Sequence, residues 1–291
     1  MKRNGRLAIL ISAVVFLVFL ITFPSFGQEG KKAQKNGYAG AETCKGCHEE
    51  LYSAFKKDNP HWKNYADPKA PPDRKGCEAC HGPGEKHAEA EGEGFIFSFK
   101  GKSAKDRSDP CLRCHDKQKE LFQFRRGVHK LTAVGCDDCH GIHIAGRGKP
   151  LLKARETDLC LSCHQDVKSK FYLPTRHKVL EGALKCTDCH TPHGSRTRGS
   201  LRTWNKFSID TCFKCHPEKR GPWVFEHLGG KVEGCMICHT PHGSPNRFLL
   251  IRREARAVCW ECHGIRHFAP ISCVRCHTQI HGSNFSSRFF Q

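Results

Sequence analysis

The 20 cysteines of this 291-residue chain fall without remainder into ten Cys-x-x-Cys-His motifs. The pairs are Cys44/Cys47, Cys77/Cys80, Cys111/Cys114, Cys136/Cys139, Cys160/Cys163, Cys186/Cys189, Cys212/Cys215, Cys235/Cys238, Cys259/Cys262 and Cys273/Cys276. They are closed by His48, His81, His115, His140, His164, His190, His216, His239, His263 and His277. Two thiols at this spacing can add to the two vinyl groups of a porphyrin, and the adjacent imidazole then sits beneath the iron. A zinc site or a redox dithiol also uses paired cysteines, but neither calls for a histidine at once after every pair. The motifs therefore predict ten covalently attached c-type haems, at sites numbered I to X in chain order.

Ten further histidines remain: His61, His87, His129, His143, His177, His193, His227, His242, His267 and His281. One falls after each motif and before the next, which marks them as the distal axial ligands. Methionine, the usual competitor, occurs twice, as Met1 and as Met236 inside a motif. Bis-histidine ligation implies low potentials and leaves no iron open to a substrate. His143, His193 and His242 come three residues after a motif histidine, a reach of at most about 10 Å. That is too short to round a porphyrin and return, so these three are expected to serve a neighbouring haem, as are His267 and His281. His61, His129, His177 and His227 have enough chain either to loop back or to reach across.

The elements that position these groups have little material. Fewer than about 30 residues per haem cannot also build an ordinary apolar core. The expected fold is a multihaem cytochrome c: short α-helices and long loops around a quasi-linear stack of ten covalently attached haems, with little or no β-sheet. Between residues 105 and 245 a two-haem repeat is visible, with motifs starting 23 to 26 residues apart. Asp109, Asp158 and Asp210 stand where helix N-caps would precede a motif, with Pro110 suited to a first helical position. Phe95, Phe97 and Phe99 alternate as a short strand would, within a segment expected to fold over a haem edge, the alternative being a docking edge for a partner. Arg288-Phe289-Phe290-Gln291 reads as a frayed tail.

Residues 1–27 read as a secretory signal: Lys2, Arg3 and Arg6, an apolar run from Leu7 to Ile21, then Pro24-Ser25-Phe26-Gly27. The run is shorter than the roughly 20 residues of a spanning helix. Residues 28–40 read as a flexible linker, 41–283 as the haem-binding domain and 284–291 as the tail. Cleavage would lower the formal net charge of +19 by three. Ten haems with their propionates add roughly −10, so the basic excess balances cofactor, and nucleic-acid binding is not expected.

Ten such motifs in a mature chain of this size, behind a signal, with paired modules ending in Cys-His-Thr-Pro-His-Gly-Ser, resemble the periplasmic decahaem cytochromes of the MtrA/DmsE family. The resemblance covers the chain after residue 40. It implies a periplasmic electron carrier, not an enzyme, associated with an outer-membrane β-barrel porin. Its implied partners are periplasmic donors and an extracellular multihaem cytochrome or reductase. Three other readings compete: an extracellular cytochrome filament subunit, a membrane-anchored quinol-linked donor, and a multihaem reductase, which would need one five-coordinate haem.

Overall fold

The computed structural model describes residues 37–63, 67–143, 150–202, 209–264, 267 and 271–291. The expected signal and residues 28–36 of the expected linker lie outside them. Residues 37–291 form one compact unit. Its helices are short. The longest described ones are Ala104–His115 and Glu49–Asp58, with Glu156–Cys163 next. The named strands are β1, Phe225–Glu226, and β2, Gly282–Ser283, paired antiparallel with Phe225 opposite Ser283. No helix among the described residues is long and apolar enough to cross a membrane.

Seven apolar side chains are buried among the described residues. The one cluster they form, Leu161, Phe171 and Val179, is seated at the fifth and sixth motifs. So thin an apolar core matches a fold whose interior is furnished by bound groups.

The helices begin elsewhere than the aspartates suggest. Ser103 caps Ala104–His115: its Oγ accepts from the Asp106 N–H at 3.2 Å and donates to the Asp106 carboxylate at 2.7 Å. The helix is thus under way before Asp109 and Pro110, which lie inside it. Asp158 and Asp210 also lie within their helices, Asp158 held by Arg155 at 2.8 Å. The reciprocal caps fall inside motifs instead. Asp138 and Asp188 each accept, at 2.7 Å, the N–H of the residue preceding their motif, Gly135 and Lys185.

Both ends of the described region make specific contacts. Gly37–Gly40, within the presumed linker, are held: Gly37 N–H donates to Glu85, and those of Ala39 and Gly40 to Glu78, each at 2.9 Å. The tail is also anchored, because the Arg288 carbonyl accepts from His277 Nδ1 at 2.5 Å and Phe290 stacks on that ring at 4.9 Å. Phe95, Phe97 and Phe99 form no strand. Phe97 and Phe99 pack edge to face at 5.0 Å, with Phe99 against His81.

Candidate haem-binding sites

Each motif histidine faces one spare histidine, and no histidine is used twice. His48 stands opposite His87, His81 opposite His143, His115 opposite His61, His140 opposite His193 and His164 opposite His129. His190 stands opposite His242, His216 opposite His177, His239 opposite His281, His263 opposite His227 and His277 opposite His267. All ten centroid separations lie between 5.9 and 6.5 Å. Two imidazole nitrogens each about 2 Å from one metal ion would put the ring centroids roughly 6 Å apart. The residues therefore fit an iron held between them, with the paired thiols alongside.

A backbone hydrogen bond sets the tautomer at one ring of nearly every pair. At the even-numbered sites it is the motif histidine. Nδ1 of His81, His140, His190, His239 and His277 donates to the carbonyls of Phe97, Pro150, Gly199, Phe248 and Arg288, at 2.5–2.9 Å. At the odd-numbered sites it is the opposing histidine. His87 donates to Gly94 at 2.8 Å, His129 to Pro192 at 2.9 Å and His177 to Pro241 at 2.6 Å. His227 bonds to the backbone of Ile280. A carbonyl can only accept, so Nδ1 carries the proton and Nε2 presents its lone pair toward the opposing ring. Burial also lowers the pKa of His61, His143, His193 and His227, and takes His242 and His281 down to about 4, favouring the neutral, ligating form.

The carbonyls that serve the even-numbered sites lie on a returning segment. After His140, His190 and His239 the chain turns back, pairing Gly141 with Leu151, Thr191 with Ser200 and Thr240 with Leu249 through N–H···O bonds of 2.8 Å. Gln279 does the same with Phe289 at 3.0 Å. The accepting residues Leu151, Ser200, Leu249 and Phe289 all have φ of 52–60°. Left-handed backbone at non-glycine residues persists only where the surroundings over-determine it, and here it recurs at one register.

A second recurring contact ties the opposing histidine of each odd-numbered site from III to IX to that of the preceding even-numbered one. Pro192, Pro241 and Ile280, the acceptors for His129, His177 and His227, immediately precede His193, His242 and His281. At sites II and III a side chain intervenes. Asn59 Nδ2 donates to the Ile142 carbonyl beside His143, while Asn59 Oδ1 accepts from His61 Nδ1 at 3.1 Å. The β1–β2 pair is this clip at its most regular, and Thr175 with Ser244 is its one-residue form. At Gly194, with φ of +101°, a Cβ would stand 2.7 Å from the Gln123 carbonyl oxygen, so glycine is required beside His193.

The sulfurs order the sites. First cysteines meet across I–II, III–IV, V–VI, VII–VIII and IX–X. There the Sγ–Sγ hydrogen bond is the largest cause that pushes Cys44, Cys111, Cys160 and Cys212 up and draws Cys77, Cys136, Cys186 and Cys235 down. Cys259 is pushed up to about 11 by burial first and then by Cys273. Second cysteines act on one another across the remaining junctions: Cys80 and Cys114, Cys139 and Cys163, Cys189 and Cys215, Cys238 and Cys262. Each site thus lies beside its sequence neighbours, through alternate cysteines.

Cys47 and Cys276 depart from this pattern. The sequence sets them on the same footing as the other eighteen, but among the described residues neither is brought to a cysteine of another site. Both are exposed. Their backbone N–H groups bond only within their own motifs, to the carbonyls of Cys44 at 3.3 Å and Cys273 at 3.2 Å. The reason is position: alternate junctions use alternate cysteines, and sites I and X have a neighbour on one side only, which the first cysteine already meets. These two sulfurs mark the ends of the array, and their place as thioether anchors rests on the motif and on the nearby pairs His48–His87 and His277–His267.

A family profile described as a doubled CXXCH motif matches residues 129–169, 177–221 and 227–266, and one described as cytochrome c554 and c-prime matches 85–141. Over 286 residues the chain is 33% identical to the multiheme cytochrome MtrA of Shewanella baltica (strain OS185), covering 88% of this chain and 83% of that protein. The chain belongs to the MtrA family. A high-molecular-weight cytochrome c of Nitratidesulfovibrio vulgaris is 28% identical over 158 residues, covering 51% of this chain and 25% of that protein. As a member of the MtrA family, the chain is a multihaem c-type cytochrome that transfers electrons, made of short helices and loops with one two-stranded sheet among the described residues.

Sequence reasoning did not find the carbonyl acceptors, the Asn59 relay or the clip. Every residue has a carbonyl, so no residue type advertises the first. Only the Thr-Pro-His-Gly repeat hints at the last.

Proposed function

We propose that this chain is a decahaem electron conduit in which ten bis-histidine haems carry electrons in sequence order. The observation that carries it is the ten-for-ten pairing of motif and spare histidines at about 6 Å. Each bound haem would supply a reversible one-electron iron couple. The cysteines would fix each porphyrin by two thioethers, and the paired histidines would fill both axial positions. The carbonyl acceptors would hold those rings and strengthen them as donors, which favours low potentials. The alternating sulfur contacts would keep successive sites adjacent. With every motif histidine opposed by another, the array suits outer-sphere transfer better than reduction of a bound substrate.

The signal-like residues 1–27 and the family membership support export to the periplasm. The same membership supports a place in a porin–cytochrome assembly, taking electrons from periplasmic donors through an outer-membrane β-barrel to an extracellular cytochrome or reductase. The test is purification of the exported protein. Ten haems by mass, an entirely low-spin resting spectrum and a co-purifying β-barrel are expected. A five-coordinate haem in the resting protein would refute the conduit in favour of a reductase, and an isolated or polymeric chain without a barrel would refute the outer-membrane role.

A further inference from the structure

We propose that the array is electrically polarised by its own carboxylates, with Glu78 making sites I and II the low-potential end. This rests on the proposed bis-histidine haems and adds a direction to them. Among the buried polar side chains of the described residues, Glu78 is the one carboxylate. Its carboxylate accepts the N–H groups of Ala39 and Gly40 at 2.9 Å and of Gly84 at 2.7 Å, an arrangement that stabilises negative charge. No cationic side chain pairs with it among the described residues. It lies in the second motif beside Cys77, and its charge adds to the upward push on Cys44, behind the Cys77 hydrogen bond, burial and the Cys77 charge.

The same register changes character along the chain. In the fourth motif it is Asp137, which Arg107 neutralises while also reaching Asp138 at 3.0 Å. In the sixth it is Thr187, whose N–H donates to a half-buried Glu156 at 2.8 Å. In the eighth and tenth it is Met236 and Val274, and the carboxylate that acts on the eighth motif, Glu261 on Cys238, is held by Arg252 at 2.7 Å. After residue 243 there are seven arginines, two glutamates and no lysine or aspartate. The buried, unpaired carboxylate of the second motif thus gives way to an ion-paired one at the fourth, a half-buried one at the sixth and an apolar residue at the eighth and tenth, with an arginine excess beyond.

A fixed negative charge near a redox centre favours the more positive, oxidised iron, and does so more strongly where water is excluded. Glu78 therefore lowers the potentials of sites I and II relative to IX and X. An electron passed from I toward X oxidises the donor iron and reduces the acceptor by the same single electron, running downhill.

The test is a potentiometric titration of the haem-loaded protein. Glu78→Gln should raise the lowest-potential steps by about tenfold in their reduction equilibrium, roughly 59 mV for a one-electron couple. Glu78→Asp, which keeps the charge but shortens the side chain, should restore most of the low potential. A merely structural anchor for Gly37–Gly40 would fail alike in both variants. Should Glu78→Gln not assemble, Arg107→Met supplies the opposite sign, exposing Asp137 and lowering the steps of sites III and IV. Ten haems and a low-spin spectrum with unmoved steps in these variants would overturn the polarisation while leaving the conduit standing. Loss of the low-spin spectrum in the unaltered protein would instead bring down both.

Discussion

Each imidazole here is defined less by its own neighbours in sequence than by the atom on its far nitrogen. His193 faces His140 and belongs to site IV, although it follows the sixth motif. His193→Ala should therefore convert one haem in ten to a high-spin form, and that haem should be the fourth, not the sixth. Magnetic circular dichroism of the variant, combined with a His140→Met variant to label the same site, would show whether the two changes coincide. His193→Met should instead stay low-spin and raise one potential, because thioether ligation favours reduced iron. The cysteines and both histidine sets are legible in sequence because covalent chemistry and metal binding demand particular residue types. Which histidine faces which is not, because it depends on the path of chain between them. Nor does sequence separate Cys47 and Cys276 from the rest, since only the fold shows which sulfurs have a neighbouring site to meet. Chain reach argued only that His143, His193 and His242 serve a neighbouring haem, and in the structure each stands opposite the motif histidine of an earlier site.

The short elements owe their form to these bonds more than to propensity. Ser103 and Asp109 both suit a cap by residue type, and only the Asp106 partner decides between them. Ser103→Ala should cost about 1 kcal/mol, read as a lower unfolding midpoint in denaturant with the haem spectrum unchanged below it. Gly194→Val is expected to act differently. It forces apart the Gln123 carbonyl and the turn that carries Pro192 and His193, and Pro192 also holds His129. The loss should be about 1–3 kcal/mol, with sites IV and V both showing high-spin character where His193→Ala shows it at IV alone. Double-haem loss of coordination from one substitution is the signature of the clip.

At the scale of the molecule, composition foretold the fold class: too few residues per haem and too many turns for an ordinary core. It did not foretell the interlock, which joins His129 to Pro192, 63 residues on, and His177 to Pro241, 64 residues on. Truncation after Ile280 should accordingly open site VIII, because His239 faces His281. One high-spin haem at an internal site is the expected spectrum; an array left wholly low-spin would exclude the pairing. The interlock also sets a timetable. As the chain lengthens, the fourth motif is complete long before His193 has been made, and the eighth before His281. Each even-numbered site from II to VIII would wait half-ligated until the second motif after it had been made, whereas sites III, V, VII, IX and X would close at once, so the order of closing would differ from the order of haem attachment.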